Sequence, residues 1–229
     1  MVRPLVVDLF CGAGGAGEGY RRAGFDVVGV DIDEHDYRPG HFVQADALDV
    51  LRRLAGDPRV YGRRPALIHA SPPCQRYSTA TGSKARDKHP DLVGTVGGAL
   101  RATGIPYVIE NVPQAPLRKD LMLCGSMFGH LMVRRHRVFE LGGFTVDQPR
   151  CRHRAQGTPV GVYGQHPDRR PYLRPDGTRR GVKATSDQEG REAMGIDWPI
   201  SWADLVEAIP PAYTEHIGRN FLMDGVRTR

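Results

Sequence analysis

Leu5-Val6-Val7-Asp8-Leu9-Phe10, followed at once by Cys11-Gly12-Ala13-Gly14-Gly15-Ala16-Gly17, decides how this chain folds. The first six residues are a short apolar run of the kind that makes a strand buried on both faces, and the glycines behind them allow positive φ. A helix over about Glu18 to Ala23 follows, with its free N–H groups at the glycine turn. A glycine-rich turn alone is weak evidence; set between a strand and a helix, it predicts the opening unit of an open, parallel α/β sheet.

Outward from this unit, Asp26-Val27-Val28-Gly29-Val30 reads as a second strand ending at Asp31-Ile32-Asp33, and His41 to Gln44 as a third ending at Ala45-Asp46-Ala47. A carboxylate at the end of the second strand is placed to accept both hydroxyls of a ribose; Asp31 is the first candidate and Asp33 the fallback. Asp46 can accept from an adenine amino group or cap a helix over Ala47–Leu54. Together these form a βαβαβ half suited to an adenosine-containing cofactor. The turn lacks the GxxxxGK[ST] pattern that holds a triphosphate, so S-adenosylmethionine fits better than ATP.

Further along, Ala66-Leu67-Ile68-His69-Ala70 predicts a buried strand that delivers Ser71-Pro72-Pro73-Cys74-Gln75 at its carboxyl end, where open α/β sheets place their chemistry. Two prolines fix φ before Cys74, so the thiol sits on a stiff turn, as a nucleophile requires; a small buried hydrophobe is the blander role of a free cysteine. Tyr77 to Asp91 is polar and reads as a loop able to close over a substrate, or equally as a passive connection. Leu92 to Thr103 reads as a helix, and Pro106 to Ile109 as a strand ending at Glu110, on the same sheet edge as Cys74. Val133 to Leu141 alternates like a strand, which puts Arg135 and Arg137 on one face and Arg134 and His136 on the other. Periodicity fades from Gly142 to Gly190 and returns in helical stretches over Glu192–Ile196, Trp202–Ile209 and Pro211–Met223. The expected organisation is a cofactor-binding and catalytic part over 1–142, a short basic insert over 143–190 and a returning segment over 191–229.

The 229 residues, 40% of them hydrophobic, can build a core. No apolar run is long enough to span a bilayer and no early basic-then-apolar signal appears, so a soluble, cytoplasmic, monomeric protein is expected. Net charge is +6, but 133–183 holds 12 Lys or Arg against 4 Asp or Glu, so that segment carries +8 and the remainder −2. Its arginines are interleaved with His, Tyr, Gly and Pro, as on a loop-rich surface gripping phosphates. The 4 cysteines, Cys11, Cys74, Cys124 and Cys151, form no CxxC pair. Cys151-Arg152-His153 offers a ligand pair, but without a matching second pair no metal is expected.

These residues resemble, in order, the motifs of the cytosine-C5 DNA methyltransferase family. Asp8-Leu9-Phe10-Cys11-Gly12-Ala13-Gly14-Gly15 resembles its cofactor loop, Pro72-Pro73-Cys74-Gln75 its nucleophile motif and Glu110-Asn111-Val112 its ENV motif. Arg135-His136-Arg137 resembles its QxRxR motif with Val133 in place of the glutamine. Ala208-Ile209-Pro210-Pro211 with Ile217-Gly218 resembles its closing motif, with Glu207 in place of asparagine. The resemblance runs from Asp8 to Gly218 apart from the insert. It implies a doubly wound, Rossmann-like S-adenosylmethionine-dependent methyltransferase sheet with a small irregular target-recognition insert, acting on double-stranded DNA. Cys74 would attack C6 of cytosine, Glu110 would supply a proton or strong hydrogen bond at N3, and Arg137 would hold O2. Arg135 would lower the thiol's pKa or hold phosphate. Phe10, Cys11, Gly12, Gly14, Gly15, Asp31, Ile32, Asp46, Ala47, Pro72, Glu207 and Ala208 would form the cofactor site. Gln75, Ser78, Lys84, Arg86, Arg150, Arg152, Arg154, Arg169 and Arg170 would contact DNA. Three other readings are a cofactor-binding module that needs a partner for DNA recognition, an RNA cytosine-C5 methyltransferase, and an enzyme acting on free cytidine nucleotides by the same cysteine addition, which the basic insert disfavours.

Overall fold

The computed structural model describes residues 2–59, 62–77, 91–167, 176–177 and 182–227. At its centre is β1 (Leu5–Leu9), whose five residues are all buried because helices cover both faces of the sheet. β2 (Asp26–Asp31) pairs parallel with one side of β1, and β3 (His41–Gln44) pairs parallel with β2. On the other side lie β4 (Leu67–Ala70) and then β5 (Tyr107–Asn111), again parallel. The sheet is completed by two antiparallel strands, β7 (Arg137–Gly142) beside β5 and β6 (Leu121–Leu123) at the edge, giving the order β3-β2-β1-β4-β5-β7-β6. Strand order reverses between β1 and β4, and such a switch point opens a crevice beyond the carboxyl ends of the strands. The glycine turn leaves β1 and the Cys74 turn leaves β4, so both open into it.

The antiparallel β7 reaches the same edge by its opposite end. Asn111 is in register with Val138, so Arg137 begins β7 where β5 finishes, next to Glu110. Glu110 lies near the carboxyl end of β5, as expected, and pairing with β7 keeps the strand extended through Asn111.

Helices α1 (Gly15–Ala23), α2 (Ala47–Gly56) and α3 (Val93–Thr103) follow β1, β3 and the loop after β4. One apolar layer joins α2 and α3 to one sheet face through Leu51, Leu54, Val96 and Leu100. The other layer packs α1 and the long tail helix α7 (Pro211–Arg227) through Tyr20, Tyr213 and Ile217. A third, smaller core gathers Val133, Val162, Trp198, Trp202 and Leu205. It joins the insert to α5 (Asp187–Met194) and α6 (Trp202–Glu207).

Several local expectations shift. α1 begins at Gly15 instead of Glu18 because Gly14, at φ 91, caps the helix directly on the turn. The alternation over Val133–Leu141 yields a strand only from Arg137, since Arg135 takes φ 29 and breaks the extended run. The insert is not wholly irregular: it holds the short helix α4 (His153–Gln156) and a parallel pair, β8 (Val160–Gly161) with β9 (Val182–Lys183). Among the described residues no helix is long and apolar enough to cross a membrane.

Candidate active site

A single cleft of about 830 Å³ occupies the crevice. At one end it is lined by Phe10, Cys11, Gly12, Gly15, Asp31, Ile32, Asp46 and Ala47, at the other by Cys74, Gln75, Glu110, Arg135 and Arg137. Pro72, Glu207 and Ala208 also line it. Gly14 is not on its surface; a Cβ there would lie 2.7 Å from the Pro39 side chain, so this glycine shapes the turn from behind.

The turn is built under strain and held from several sides. Phe10 takes φ 57, a conformation costly for a bulky residue, and its carbonyl accepts from Ser71 Oγ at 3.2 Å. Gly12 has φ +48, nothing stands within 4 Å of where its Cβ would be, and its N–H donates to Asp31 Oδ2 at 2.9 Å. Asp31 Oδ1 accepts from the Asp33 N–H at 3.2 Å. Asp46 caps α2, its Oδ1 accepting from the N–H groups of Leu48 at 2.7 Å and Asp49 at 3.1 Å. Of the two roles open to it from sequence, the cap is therefore visible. Beneath the turn, burial raises the Asp8 carboxyl to about 7 despite the Tyr37 hydroxyl that donates to it at 3.3 Å.

At the other end, Arg137 Nε lies 2.8 Å from Glu110 Oε1, both side chains being largely shielded from water. Burial pushes the Glu110 carboxyl up, with Arg137 and then Arg135 opposing it. Burial likewise pushes the Cys74 thiol up; Arg137 pulls it down, Glu110 raises it, Arg135 lowers it and Glu207 raises it. Burial, with Asp8 and Asp31 nearby, pushes the Cys11 thiol far up, so Cys74 is the better placed nucleophile of the two. Arg135 donates to the carbonyls of Val162, at 3.3 Å, and Val206, tying the insert to α6. Burial, followed by the charge of Arg137, pulls its pKa down to about 9. Glu207 is exposed at the rim and accepts from Gln75 Nε2 at 3.3 Å.

Three residues contribute without having been assigned a role from sequence. Asn111 Nδ2 donates to the Pro72 carbonyl at 2.9 Å, fixing the turn that carries Cys74. The Tyr213 hydroxyl donates to the Arg135 carbonyl at 2.8 Å, holding that residue in its left-handed conformation. His35 lies 3.8 Å from Asp31 and 3.7 Å from Asp204, joining the glycine-turn end of the cleft to α6. Asn111 stood in a quoted motif, whereas a tail tyrosine and a loop histidine carry no spacing signal. Arg150, Arg152 and Arg154 are exposed outside the cleft. Ser78, Lys84, Arg86, Arg169, Arg170 and most of the Tyr77–Asp91 loop lie outside the described residues.

No family model matches the sequence. Over 95% of its length the chain is 27% identical to the type II methyltransferase M.XorII of Xanthomonas oryzae pv. oryzae, of which it spans 54%. It is 32% identical over 46% of its length to 27% of the type II methyltransferase M.AgeI of Thalassovita gelatinovora. It thus spans about half or less of these curated relatives. A solved structure of a provisional DNA modification methyltransferase encoded within an E. coli prophage superposes at a TM-score of 0.66 with 16% identity. That match covers 97% of this chain and 99% of the other. The chain is thus similar in sequence to type II methyltransferases and has the doubly wound sheet of the S-adenosylmethionine-dependent methyltransferase fold.

Proposed function

We propose that this chain transfers a methyl group from S-adenosylmethionine to C5 of cytosine in duplex DNA, through a covalent bond between Cys74 and C6 of a base turned out of the helix. One observation carries the proposal: a single cleft is lined by the glycine turn with Asp31 and by Cys74 with Glu110 and Arg137. The cofactor end fits a nucleoside: Gly12 leaves room for close approach, and Asp31 is anchored beside it with further lone pairs for ribose hydroxyls. When bound, the cofactor supplies an electrophilic methyl group on a sulfonium.

The chain's own residues do the rest. Cys74, as thiolate, adds to C6, and its lone pair becomes the S–C6 bond while Glu110 gives a proton or hydrogen bond to N3. Arg137 holds O2, and its charge favours the thiolate. C5, now nucleophilic, takes the methyl group, which leaves behind a neutral thioether; loss of the C5 proton to a base and return of any N3 proton to Glu110 then restore the ring as the S–C6 bond breaks and the thiolate leaves. Burial raises the Glu110 carboxyl, which favours its protonated form in the role of donor to N3. Because the ring faces are hidden in a duplex, the base must leave the stack. Exposed Arg150, Arg152 and Arg154 suit the phosphates alongside it.

Duplex DNA containing 5-fluorocytosine tests the reading, since fluorine cannot leave as a proton. With S-adenosylmethionine the wild type is expected to form a covalent complex whose DNA-bearing peptide contains Cys74, and Cys74→Ser none. Trapping through Cys11, Cys124 or Cys151 would overturn the assignment. Cofactor binding without any trapping or methylation would favour a module that depends on a partner.

A further inference from the structure

Cys151-Arg152-His153 lacked a second ligand pair in the sequence, and the fold supplies one. In the register of β6 and β7, Leu123 pairs with Arg137, so the next residues outward, Cys124 and His136, become neighbours across the sheet edge. Gly125 N–H donates to the Arg134 carbonyl at 2.8 Å, extending the contact past the ladder. The beginning of the insert folds back over them. The Arg152 N–H donates to Ser126 Oγ at 3.1 Å, Arg134 donates to the His153 carbonyl at 3.3 Å, and Gln156 Nε2 donates to the Val133 carbonyl at 2.8 Å. As a result one ligand atom from each of Cys124, His136, Cys151 and His153 lies within 4.8 Å of all the others.

We propose that these four residues form a closed structural zinc site, independent of the methyl-transfer reading. Zinc bonded at about 2.0–2.3 Å in a tetrahedron sets its ligand atoms about 3.3–3.8 Å apart. Here Cys124 Sγ lies 3.2 Å from His153 Nε2, and Cys151 Sγ lies 3.7 Å from His136 Nε2. The two imidazoles meet edge to face at 87°, with ring centres 5.2 Å apart, so their nitrogens converge without stacking. Two thiolates and two neutral imidazoles suit zinc over the hard cations that prefer oxygen, and the two negative charges balance the ion. Both thiols would release their protons to solvent on binding. With four protein ligands no position remains for substrate, which makes the site structural. Its consequence is mechanical: His136 stands between Arg135 and Arg137, so the ion would fasten the root of the basic insert to the segment that carries both cleft arginines.

The test is metal content in the intact protein, purified under reducing conditions from zinc-supplemented cells and measured by plasma mass spectrometry. About one zinc ion per chain is expected, falling nearly to zero in Cys151→Ser and His153→Asn and unchanged in the exposed-histidine control His166→Gln. Cobalt(II) added to the stripped wild type should give thiolate-to-cobalt charge transfer and the d–d bands of a tetrahedral centre. The wild-type stoichiometry and this spectrum decide even if a variant fails to fold. A zinc-free wild type with no cobalt spectrum, retention of zinc by both variants, or a Cys124–Cys151 disulfide found as a loss of two hydrogens in non-reducing mass spectrometry would each overturn the site.

Discussion

Cys74 works against its surroundings. Burial holds its proton on, and among the nearby charges Glu207 is the one that solvent reaches and that touches the turn only through Gln75. Removing that negative charge removes one cause of the raised thiol pKa, so in Glu207→Gln alkylation of Cys74 by iodoacetamide should begin at lower pH than in the wild type. Arg137→Met removes a cause acting in the opposite sense and should shift the onset to higher pH. Peptide mass spectrometry across a pH series reads both, and Cys11, whose thiol burial pushes far higher, should stay unmodified throughout. An identical profile for Glu207→Gln would mean that the carboxylate does not act on the thiol. At this scale the convergence of Cys74, Glu110, Arg135 and Arg137 on one cleft was legible, because residues at strand ends need only correct strand order to meet. What was not legible depends on backbone geometry: no pattern announces that Asn111 will bond to the Pro72 carbonyl or that Arg135 will be spent on the Val162 and Val206 carbonyls.

The glycines of helix α1 meet different neighbours: Gly15 faces Ile209, Gly17 faces Tyr37 and Gly19 faces α7. A Cβ at Gly19 would lie 2.0 Å from Thr214 Oγ1 and 2.1 Å from the Pro211 carbonyl oxygen, so that glycine exists for the approach of α7 and not for a ligand. Gly19→Ala gains about 1 kcal/mol of helix propensity but forces backbone apart, a cost of about 1–3 kcal/mol. A melting temperature lower by a few degrees is expected, measured by calorimetry. Gly98→Ala in α3 is the opposite case: nothing stands within 4 Å of its Cβ position, so the same exchange should raise the melting temperature. From sequence alone Gly12, Gly14 and Gly15 were read as cofactor chemistry and Gly19 had no role, since a run of glycines does not say which face of the helix each will occupy. The strands near the switch point were legible because they are continuous apolar runs, whereas Val133–Leu141 misled: its alternation is real, but Arg135 leaves the extended conformation.

For the whole molecule, charge is laid out unevenly, and exposed Arg150, Arg152 and Arg154 belong to the segment that carries the excess. If each contacts one phosphate, replacing all three with alanine should flatten the dependence of log K on log salt by about 2.7 and weaken binding to all DNA sequences alike, with cofactor affinity unchanged. Fluorescence anisotropy at several salt concentrations would detect this; an unchanged slope would remove these arginines from the interface. Another feature reaches further along the chain. Thr214 Oγ1 donates to the Ala16 carbonyl at 2.7 Å across a sequence separation of 198 residues, so the helix that follows the glycine turn is completed by one far along the chain. A ribosome adding about 5–20 residues per second needs about 10–40 s to cover that separation. Through that interval the nascent α1 has no α7 to pack against, so the packing of α1 waits on residues made much later.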